Sequence, residues 1–130
     1  MHRLLVCGGR TFYNAAFVYL TLDKLHAQHQ FRDIIQGGAA GADALAKDWA
    51  KSHPEIVRWE CKAAWLDLSH PDAVIKTRDD GTRYDAKAGH RRNTRMLEWS
   101  PDLVVAFPGG DGTKDMIRQA RAANVEVIEL

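Results

Sequence analysis

Three short apolar runs in this sequence each end directly in a glycine-rich turn, and this pattern constrains the fold more than any other feature. The runs are RLLVC, DIIQ and DLVVAF, and the turns after them are Gly8-Gly9-Arg10, the segment 37–41 and the segment 108–113. Short unbroken apolar runs bounded by glycine are typical of strands that are covered on both faces. Each turn is followed by a segment with helical periodicity.

Five strands and four helices are predicted in alternation. Alternating strands and helices favour a parallel sheet, because parallel strands need right-handed crossovers. The predicted fold class is therefore α/β, a Rossmann-like three-layer fold with a mostly parallel sheet of about five strands. Asn14 is placed to cap the first helix. The predicted strands are Arg3–Cys7, Asp33–Gln36, Ile56–Cys61, Asp102–Phe107 and Val125–Ile128, and the predicted helices are 14–28, 41–52, 86–99 and 113–123.

Length and charge limit the classes of function open to the chain. Its 130 residues suit one domain, 1–130, and a formal net charge of +1 gives no global reason to expect nucleic acid or an anionic membrane as partner. Cys7 and Cys61 lie in apolar runs without the short spacing of a zinc site, so reduced core thiols and no metal are expected. Without a signal sequence or the ~20 apolar residues of a membrane helix, a cytoplasmic protein is expected.

One segment, residues 62–85, interrupts the alternation. Pro71, the turn signal Asp79-Asp80-Gly81 and several charges give it neither a strand nor a helix period, so it is predicted to be a loop or insertion. Long loops in compact domains tend to be lids or partner surfaces, and disorder is an equal alternative here. Trp65 lies in this segment and is the best tryptophan for stacking on a base, whereas Trp49 and Trp99 are predicted in the core.

The three glycine turns are predicted to meet at one edge of the sheet. In an open α/β sheet the carboxyl ends of parallel strands border a crevice at the topological switch point, where ligands bind. Glycine lets the backbone approach a ligand, and the N–H groups and dipole of the following helix attract phosphate or carboxylate. Tight chain reversal explains any single turn equally well, but three turns together favour a binding site. None of them matches a Walker A loop or the pattern G-x-G-x-x-G.

Four segments together resemble the SLOG superfamily, which includes the Lonely Guy phosphoribohydrolases and the DNA-processing protein A family. They are Pro108-Gly-Gly-Asp-Gly-Thr113, Gly89-His90-x-Arg92-Asn93-x-x-Met96, Gly37-Gly-Ala-x-Gly-Ala-Asp43 and Gly8-Gly9-Arg10, and the last two are most similar to the small YspA-like branch. The resemblance implies a Rossmann-like fold that binds a nucleoside phosphate, ADP-ribose or NAD, with Arg92 and the 109–113 loop at the ligand. It also implies a homo-oligomer and an effector protein as a partner.

Physical chemistry independently supports several of these positions. The Arg fork binds phosphate bidentately, and the helix of Arg92 leads directly to the strand before the third glycine turn. Asn93 and Asp43 are candidates for hydrogen bonds to a ribose or base, although Asp43 equally suits the first turn of its helix. The predicted ligand-binding residues are Gly8, Gly9, Arg10, Gly37, Gly38, Ala39, Gly41, Asp43, Arg92, Asn93, Pro108, Gly109, Gly110, Gly112 and Thr113.

The helix with Arg92 is also the most basic stretch of the sequence, from His90 to Arg95. A solvated helix face explains Arg91 and Arg95 better than a ligand does, and a structural role is favoured for His90. Binding of single-stranded DNA would need a basic groove continuous with these arginines. The near-neutral net charge makes nucleic acid the least favoured partner.

One difference from the Lonely Guy pattern bears on catalysis. In that family a glutamate three residues after the threonine assists cleavage of the N-glycosidic bond, and here Met116 stands at that position. A thioether cannot act as a general base. Asp115 is one residue earlier and points about 100° away around the helix, and Asn93 replaces a lysine of that family. The catalytic residues are therefore unknown, and the candidates are Asp43, Arg92, Asp111 and Asp115.

Binding without turnover is accordingly the first prediction. The protein is predicted to be a sensor or ligand-binding module for a nucleotide or nucleotide-derived ligand, with no other cofactor. The alternative is a hydrolase of N-glycosidic or phosphoanhydride bonds, which would need a carboxylate within ~3 Å of the scissile bond.

Overall fold

A five-stranded parallel sheet forms the centre of the computed structural model, which describes residues 2–130. The elements in chain order are β1 His2–Cys7, α1 Ala15–His29, β2 Phe31–Gln36, α2 Ala42–Lys51, β3 Val57–Glu60, β4 Ile75–Thr77, β5 Arg83–Asp85, α3 Ala88–Glu98, β6 Leu103–Ala106, α4 Asp111–Ala122 and β7 Glu126–Glu129. The sheet order is β3-β2-β1-β6-β7, with every pair parallel. The predicted Rossmann-like α/β fold is confirmed, and the strand order reverses between β1 and β6.

Alternate residues of the strands supply two separate cores, one on each face of the sheet. Leu4 and Val6 of β1 belong to the core shared with α1 and α2, while Leu5 belongs to the core shared with α3 and α4. A fully buried Leu or Val contributes about 1.5–3 kcal/mol relative to an exposed one, so the central strand anchors both layers. Trp49 is buried as predicted, and Trp99 is half-buried against the second core.

The helix starts are set by local hydrogen bonding. The Asn14 side chain accepts the Phe17 N–H at 3.1 Å, which confirms it as the cap of α1. Helix α4 begins at Asp111 rather than at Thr113, so the predicted start is wrong by two residues. Gly-Asp-Gly has low helix propensity, but the first turn tolerates it because its N–H groups have no intrahelical partner. Gly112 and Thr113 therefore lie in the first turn of α4.

Part of the segment 62–85 is regular, which corrects the prediction that it lacks structure. Strands β4 and β5 pair antiparallel, with Ile75 opposite Asp85. Their turn is closed by a 2.8 Å hydrogen bond from the Arg78 N–H to the Thr82 carbonyl, and Gly81 adopts a φ of +88°. Strands of three residues are too short to show an alternating pattern, so the sequence indicated only the turn.

Asp85 holds this hairpin against α3. Its fully buried carboxylate accepts the N–H groups of Val74 at 3.1 Å and Lys87 at 2.9 Å, and it contacts the Arg91 guanidinium. Arg91 also donates to Asp72 at 2.6 Å. The prediction that Arg91 lies on a solvated face is therefore wrong. Arg91 joins α3 to residues 62–85, which contain the hairpin and are called the hairpin segment below. Arg95 is exposed, as predicted.

The two cysteines are buried free thiols. Burial raises the pKa of Cys7 to about 12, and the nearby carboxylate of Asp43 adds to this effect. Such a thiol behaves as a small apolar side chain rather than as a nucleophile.

Within residues 2–130, no helix has both the length and the apolar character needed to cross a bilayer.

Candidate functional site

A cavity of about 730 Å³ lies where the strand order reverses. All three glycine turns contribute to its wall, together with α3, the start of α4 and the hairpin segment. Its volume lies within the range of small-molecule sites. The lining residues are Cys7, Gly8, Gly9, Arg10, Ala39, Asp43, Trp65, Arg78, Tyr84, Ala86, Gly89, His90, Arg92, Asn93, Met96, Gly110, Asp111, Gly112, Thr113 and Asp115.

The glycine turns are packed directly on one another. The Gly9 N–H donates to the Pro108 carbonyl at 2.8 Å, and the Gly9 carbonyl accepts the Ala42 N–H at 3.1 Å. A Cβ on Gly8 would lie 2.6 Å from the Cβ of Ala42, and a Cβ on Gly41 would overlap the Gly9 carbonyl oxygen. Several of the glycines are therefore needed for contact between turns, independently of any ligand.

The predicted ligand-binding residues divide into two groups. Those in the cavity wall are Gly8, Gly9, Arg10, Ala39, Asp43, Arg92, Asn93, Gly110, Gly112 and Thr113, and those outside it are Gly37, Gly38, Gly41, Pro108 and Gly109. Gly110 and Gly112 differ from the packed glycines, because a Cβ on either would meet nothing within 4 Å. At these two positions the missing side chain leaves open space in the cavity rather than room for another turn.

A half-buried arginine and a buried carboxylate lie near each other at the base of the site. The Arg92 Nη1 donates to the Gly37 carbonyl at 2.7 Å, and Asp43, which is 6% exposed, accepts the Ala39 N–H at 3.2 Å. Burial raises the pKa of Asp43 to about 6, although the Ala39 N–H and the positive charge of Arg92 oppose this rise. Burial lowers the pKa of Arg92, while Asp43 acts in the opposite direction. An arginine stays charged in a protein, so the site has a fixed cation beside a group that titrates near neutral pH.

Asn93 connects Arg92 to a second carboxylate. Its Oδ1 accepts from the Arg92 Nε at 3.1 Å, and its Nδ2 donates to the Gly112 carbonyl at 3.1 Å and to Asp115 at 3.0 Å. With its oxygen and its amino group both engaged, this buried amide orients its neighbours in the present structure.

Asp115 is the second carboxylate of the cavity wall. It accepts from the Gln119 Nε2 at 2.8 Å and lies 2.9 Å from the His90 Nδ1. Burial alone would raise the pKa of Asp115, but the hydrogen bonds of Asn93, Gln119 and His90 outweigh it and lower the pKa. Asp43 and Asp115 therefore border one cavity with pKa values displaced in opposite directions.

Two sequence comparisons identify the relatives of this chain. The Gene 61 protein of Mycobacterium phage D29 is 31% identical over 131 residues, which cover 98% of this chain and 95% of that protein. The model of the YspA, cpYpsA-related SLOG family matches residues 2–67. The chain belongs to this SLOG family. The predicted resemblance to the YspA-like branch is thus confirmed. Membership of the SLOG family, together with the Rossmann-like fold, is consistent with a nucleotide-related function.

A structural comparison supports the fold. The crystal structure of Acinetobacter baumannii MurG is similar to 99% of this SLOG chain with a TM-score of 0.56 and 15% identity. The similarity covers 34% of MurG, so this chain spans about a third of its length. At this identity the likeness concerns the fold alone.

Met116, the residue predicted to replace the glutamate of the Lonely Guy enzymes, lies in the second core. Met116 is 0% exposed, whereas Asp115 lines the cavity. A side chain at 116 packs against the sheet because it follows Thr113, also buried, by one helical turn. The carboxylates near a ligand would therefore be Asp43, Asp111 and Asp115.

The hairpin segment supplies site residues that the sequence did not identify. Arg78 and Tyr84 lie in the cavity wall beside Trp65, which was the predicted stacking residue. The available signal was the Asp79-Asp80-Gly81 turn between two runs that contain β-branched and aromatic residues, which is typical of a hairpin.

Proposed function

We propose that the protein binds a nucleotide or nucleotide-derived ligand, such as a nucleoside phosphate, ADP-ribose or an NAD-like molecule, in this cavity as a sensor or ligand-binding module. The main supporting observation is that the Arg92 guanidinium and the side-chain-free backbone at Gly110 and Gly112 border the same space. Together they provide a fixed cation and an approachable backbone for an anionic group.

The start of α4 suits a phosphate. The first N–H groups of a helix have no intrahelical acceptor and lie at the positive end of the helix dipole. The first bond of this helix runs from the Lys114 N–H to the Gly110 carbonyl at 3.0 Å, so the preceding N–H groups are outside the helical ladder. Gly110 and Gly112 line the cavity, and neither has a side chain that would cover the start of the helix.

Thermal unfolding of the full chain in the presence of AMP, ADP, ATP, ADP-ribose, NAD and cyclic nucleotides tests the proposal. A ligand at about 100 times its Kd stabilises the folded state by about 2.7 kcal/mol, which raises Tm by several degrees. Stabilisation by at least one nucleotide is expected. An unchanged Tm with every compound would contradict nucleotide binding.

Gly110→Val is expected to remove the ligand-induced rise in Tm while leaving the protein folded. Valine adds an isopropyl group where a Cβ meets nothing within 4 Å. The φ of −95° at Gly110 avoids the left-handed region, but the ψ of −142° lies outside the main β region, so the melting curve without ligand verifies that the variant is folded. The added group therefore fills ligand space instead of clashing with protein. Ala27→Val, at an exposed position of α1 outside the cavity, is the control. A normal ligand response of the Gly110 variant would remove the start of α4 from the site.

Arg92→Ala is expected to weaken binding of the stabilising nucleotide by at least about 30-fold, because the cation that pairs with an anionic group of the ligand is lost. The fold is expected to persist, since Asp43 can take up a proton once its neighbouring charge is gone. Arg95→Ala, three residues along the same helix and exposed, is the matched control. Calorimetric titration measures both variants, and equal affinities would exclude Arg92 from the ligand contact.

Hydrolysis of the ligand is a second candidate function, favoured by the two carboxylates with oppositely displaced pKa values. Such a pair is the usual arrangement for a general acid and a base or charge stabiliser. Here Asp43 would be the acid and Asp115 the ionised group. Chromatography of the incubated nucleotide separates the two functions: release of a free base or ribose phosphate indicates hydrolysis, and intact ligand indicates binding alone.

A further inference from the structure

Two aromatic rings and two guanidinium groups form one contiguous cluster in the cavity wall. The Arg10 guanidinium lies over the Trp65 ring, 4.8 Å from its centroid, and the Arg78 guanidinium lies over the Tyr84 ring at 4.7 Å. The two rings meet edge to face, with centroids 6.3 Å apart. Three of these residues, Trp65, Arg78 and Tyr84, come from the hairpin segment. Trp65 lies near the end of the 2–67 match to the SLOG family, and Arg78 and Tyr84 lie beyond it.

The rings are held in place by the backbone around them. The Asp85 N–H donates to the Trp65 carbonyl at 2.8 Å, so the residue next to Tyr84 fixes the main chain of Trp65. On the other side, a Cβ on Gly89 would lie 2.8 Å from the Cη2 of Trp65, which shows that the indole packs onto bare backbone of α3. The anchored carboxylate of Asp85 ties the whole segment to α3. The aromatic pair is therefore held in place by contacts within the protein.

The two guanidinium groups have charge available for an anion. Within residues 2–130, neither Arg10 nor Arg78 has a carboxylate within 4.0 Å of its side-chain nitrogens. Both are exposed, and each is positioned by the face of a ring. A planar cation over an aromatic face occupies the place in which a planar base would stack.

We propose that Trp65 and Tyr84, with Arg10 and Arg78 beside them, bind the base of the nucleotide ligand, so that the protein selects nucleotides with an intact base over sugar phosphates. This inference rests on the proposed function and adds a base-binding region to the phosphate-binding region of the site. The phosphate lies at Arg92 and the start of α4, and the base stacks on the face of Trp65 that the Arg10 guanidinium covers in this structure. Arg10 belongs to the first glycine turn, is exposed and has no carboxylate partner among residues 2–130, so it can leave this face and pair with a ligand phosphate.

Calorimetric titration of AMP, ADP-ribose and ribose 5-phosphate tests the base subsite. Stacking on an aromatic side chain is worth about 1–3 kcal/mol per base, or about 5- to 150-fold in affinity. Wild type is expected to bind AMP or ADP-ribose more tightly than ribose 5-phosphate by that factor. Trp65→Ala should remove this preference while leaving the affinity for ribose 5-phosphate unchanged, and Trp65→Phe should restore most of it. Tyr13→Ala, at an exposed tyrosine outside the cavity, is the control.

The outcomes separate this inference from the proposed function. Equal binding of AMP and ribose 5-phosphate by wild type, or an unchanged preference in Trp65→Ala, would overturn the base subsite. If Gly110→Val still abolished binding in that case, the phosphate end of the site would stand without it. No binding of any of the three probes would overturn both. Circular dichroism of Trp65→Phe and Trp65→Ala verifies that the variants are folded.

Discussion

Gly41→Ala is expected to lower the free energy of unfolding by at least about 3 kcal/mol, from strain and overlap together. Gly41 has a φ of +73° and a ψ of −126°, a left-handed conformation that side chains rarely adopt. A Cβ at this position would also overlap the Gly9 carbonyl oxygen, which accepts the Ala42 N–H at 3.1 Å. The overlapping atom belongs to the backbone of another turn, so it cannot move aside as a flexible side chain would.

Gly81→Ala separates the two contributions to this loss. Gly81 has a φ of +88°, but a Cβ there would meet nothing within 4 Å. Only the conformational cost of about 1–2 kcal/mol is expected. Urea unfolding of both variants measures the difference, and an equal loss of stability in the two would show that overlap with the Gly9 carbonyl costs nothing. A larger loss at Gly41 would establish that the close packing of the first and second glycine turns requires glycine at this position.

The central fold was accessible from the sequence because its signals are local. Each core strand is a short apolar run, and the turn after β1, β2 or β6 has glycine within a few residues. Asn14 and the Phe17 N–H form a cap within one helical turn. Hydrophobic periodicity reports such short-range features directly. The parallel sheet then follows from the alternation of strands and helices with right-handed crossovers.

The hairpin was missed because its strands are only three residues long and its one clear local signal is the turn between them. Asp85 is fully buried through partners that include Arg91 and the N–H of Val74. Neither three-residue strand has an apolar pattern of its own. An arginine on a polar helix face resembles a solvated residue until its carboxylate partner is located, which is why Arg91 was misassigned.

The site was predicted only in part for the same reason. Residue type alone indicated Arg92, Asp43 and those glycines that line the cavity. The division between glycines that pack on other turns and glycines that face the cavity depends on tertiary contacts: Gly41 meets the first turn, whereas Gly110 meets nothing. The raised pKa of Asp43 likewise results from burial, which a sequence motif does not report.

Asp43→Asn is expected to change the pH dependence of the free energy of unfolding, because the pKa of Asp43 is raised. The pKa of Asp43 rises from the ordinary value of 3.8 to about 6 because of burial. Between these two values the folded state holds a proton that the unfolded state has released, so the stability of the wild type falls as pH rises through this window. Since one pKa unit corresponds to about 1.4 kcal/mol, the full loss is about 3 kcal/mol. Asparagine has no proton to lose, and its Oδ1 can still accept the Ala39 N–H.

The free energy of unfolding of Asp43→Asn, relative to that of the wild type, should therefore rise by about 2–3 kcal/mol between pH 4 and pH 8. Urea unfolding at several pH values measures the difference in free energy, in which titrations common to both proteins cancel. Asp48→Asn is the matched control on α2, because its exposed ion pair with Lys51, at 3.5 Å, is worth less than about 1 kcal/mol. A stability difference that stays constant with pH would mean that the pKa of Asp43 in the folded state equals its ordinary value of 3.8. In that case Asp43 could not act as a proton donor to a bound ligand near neutral pH.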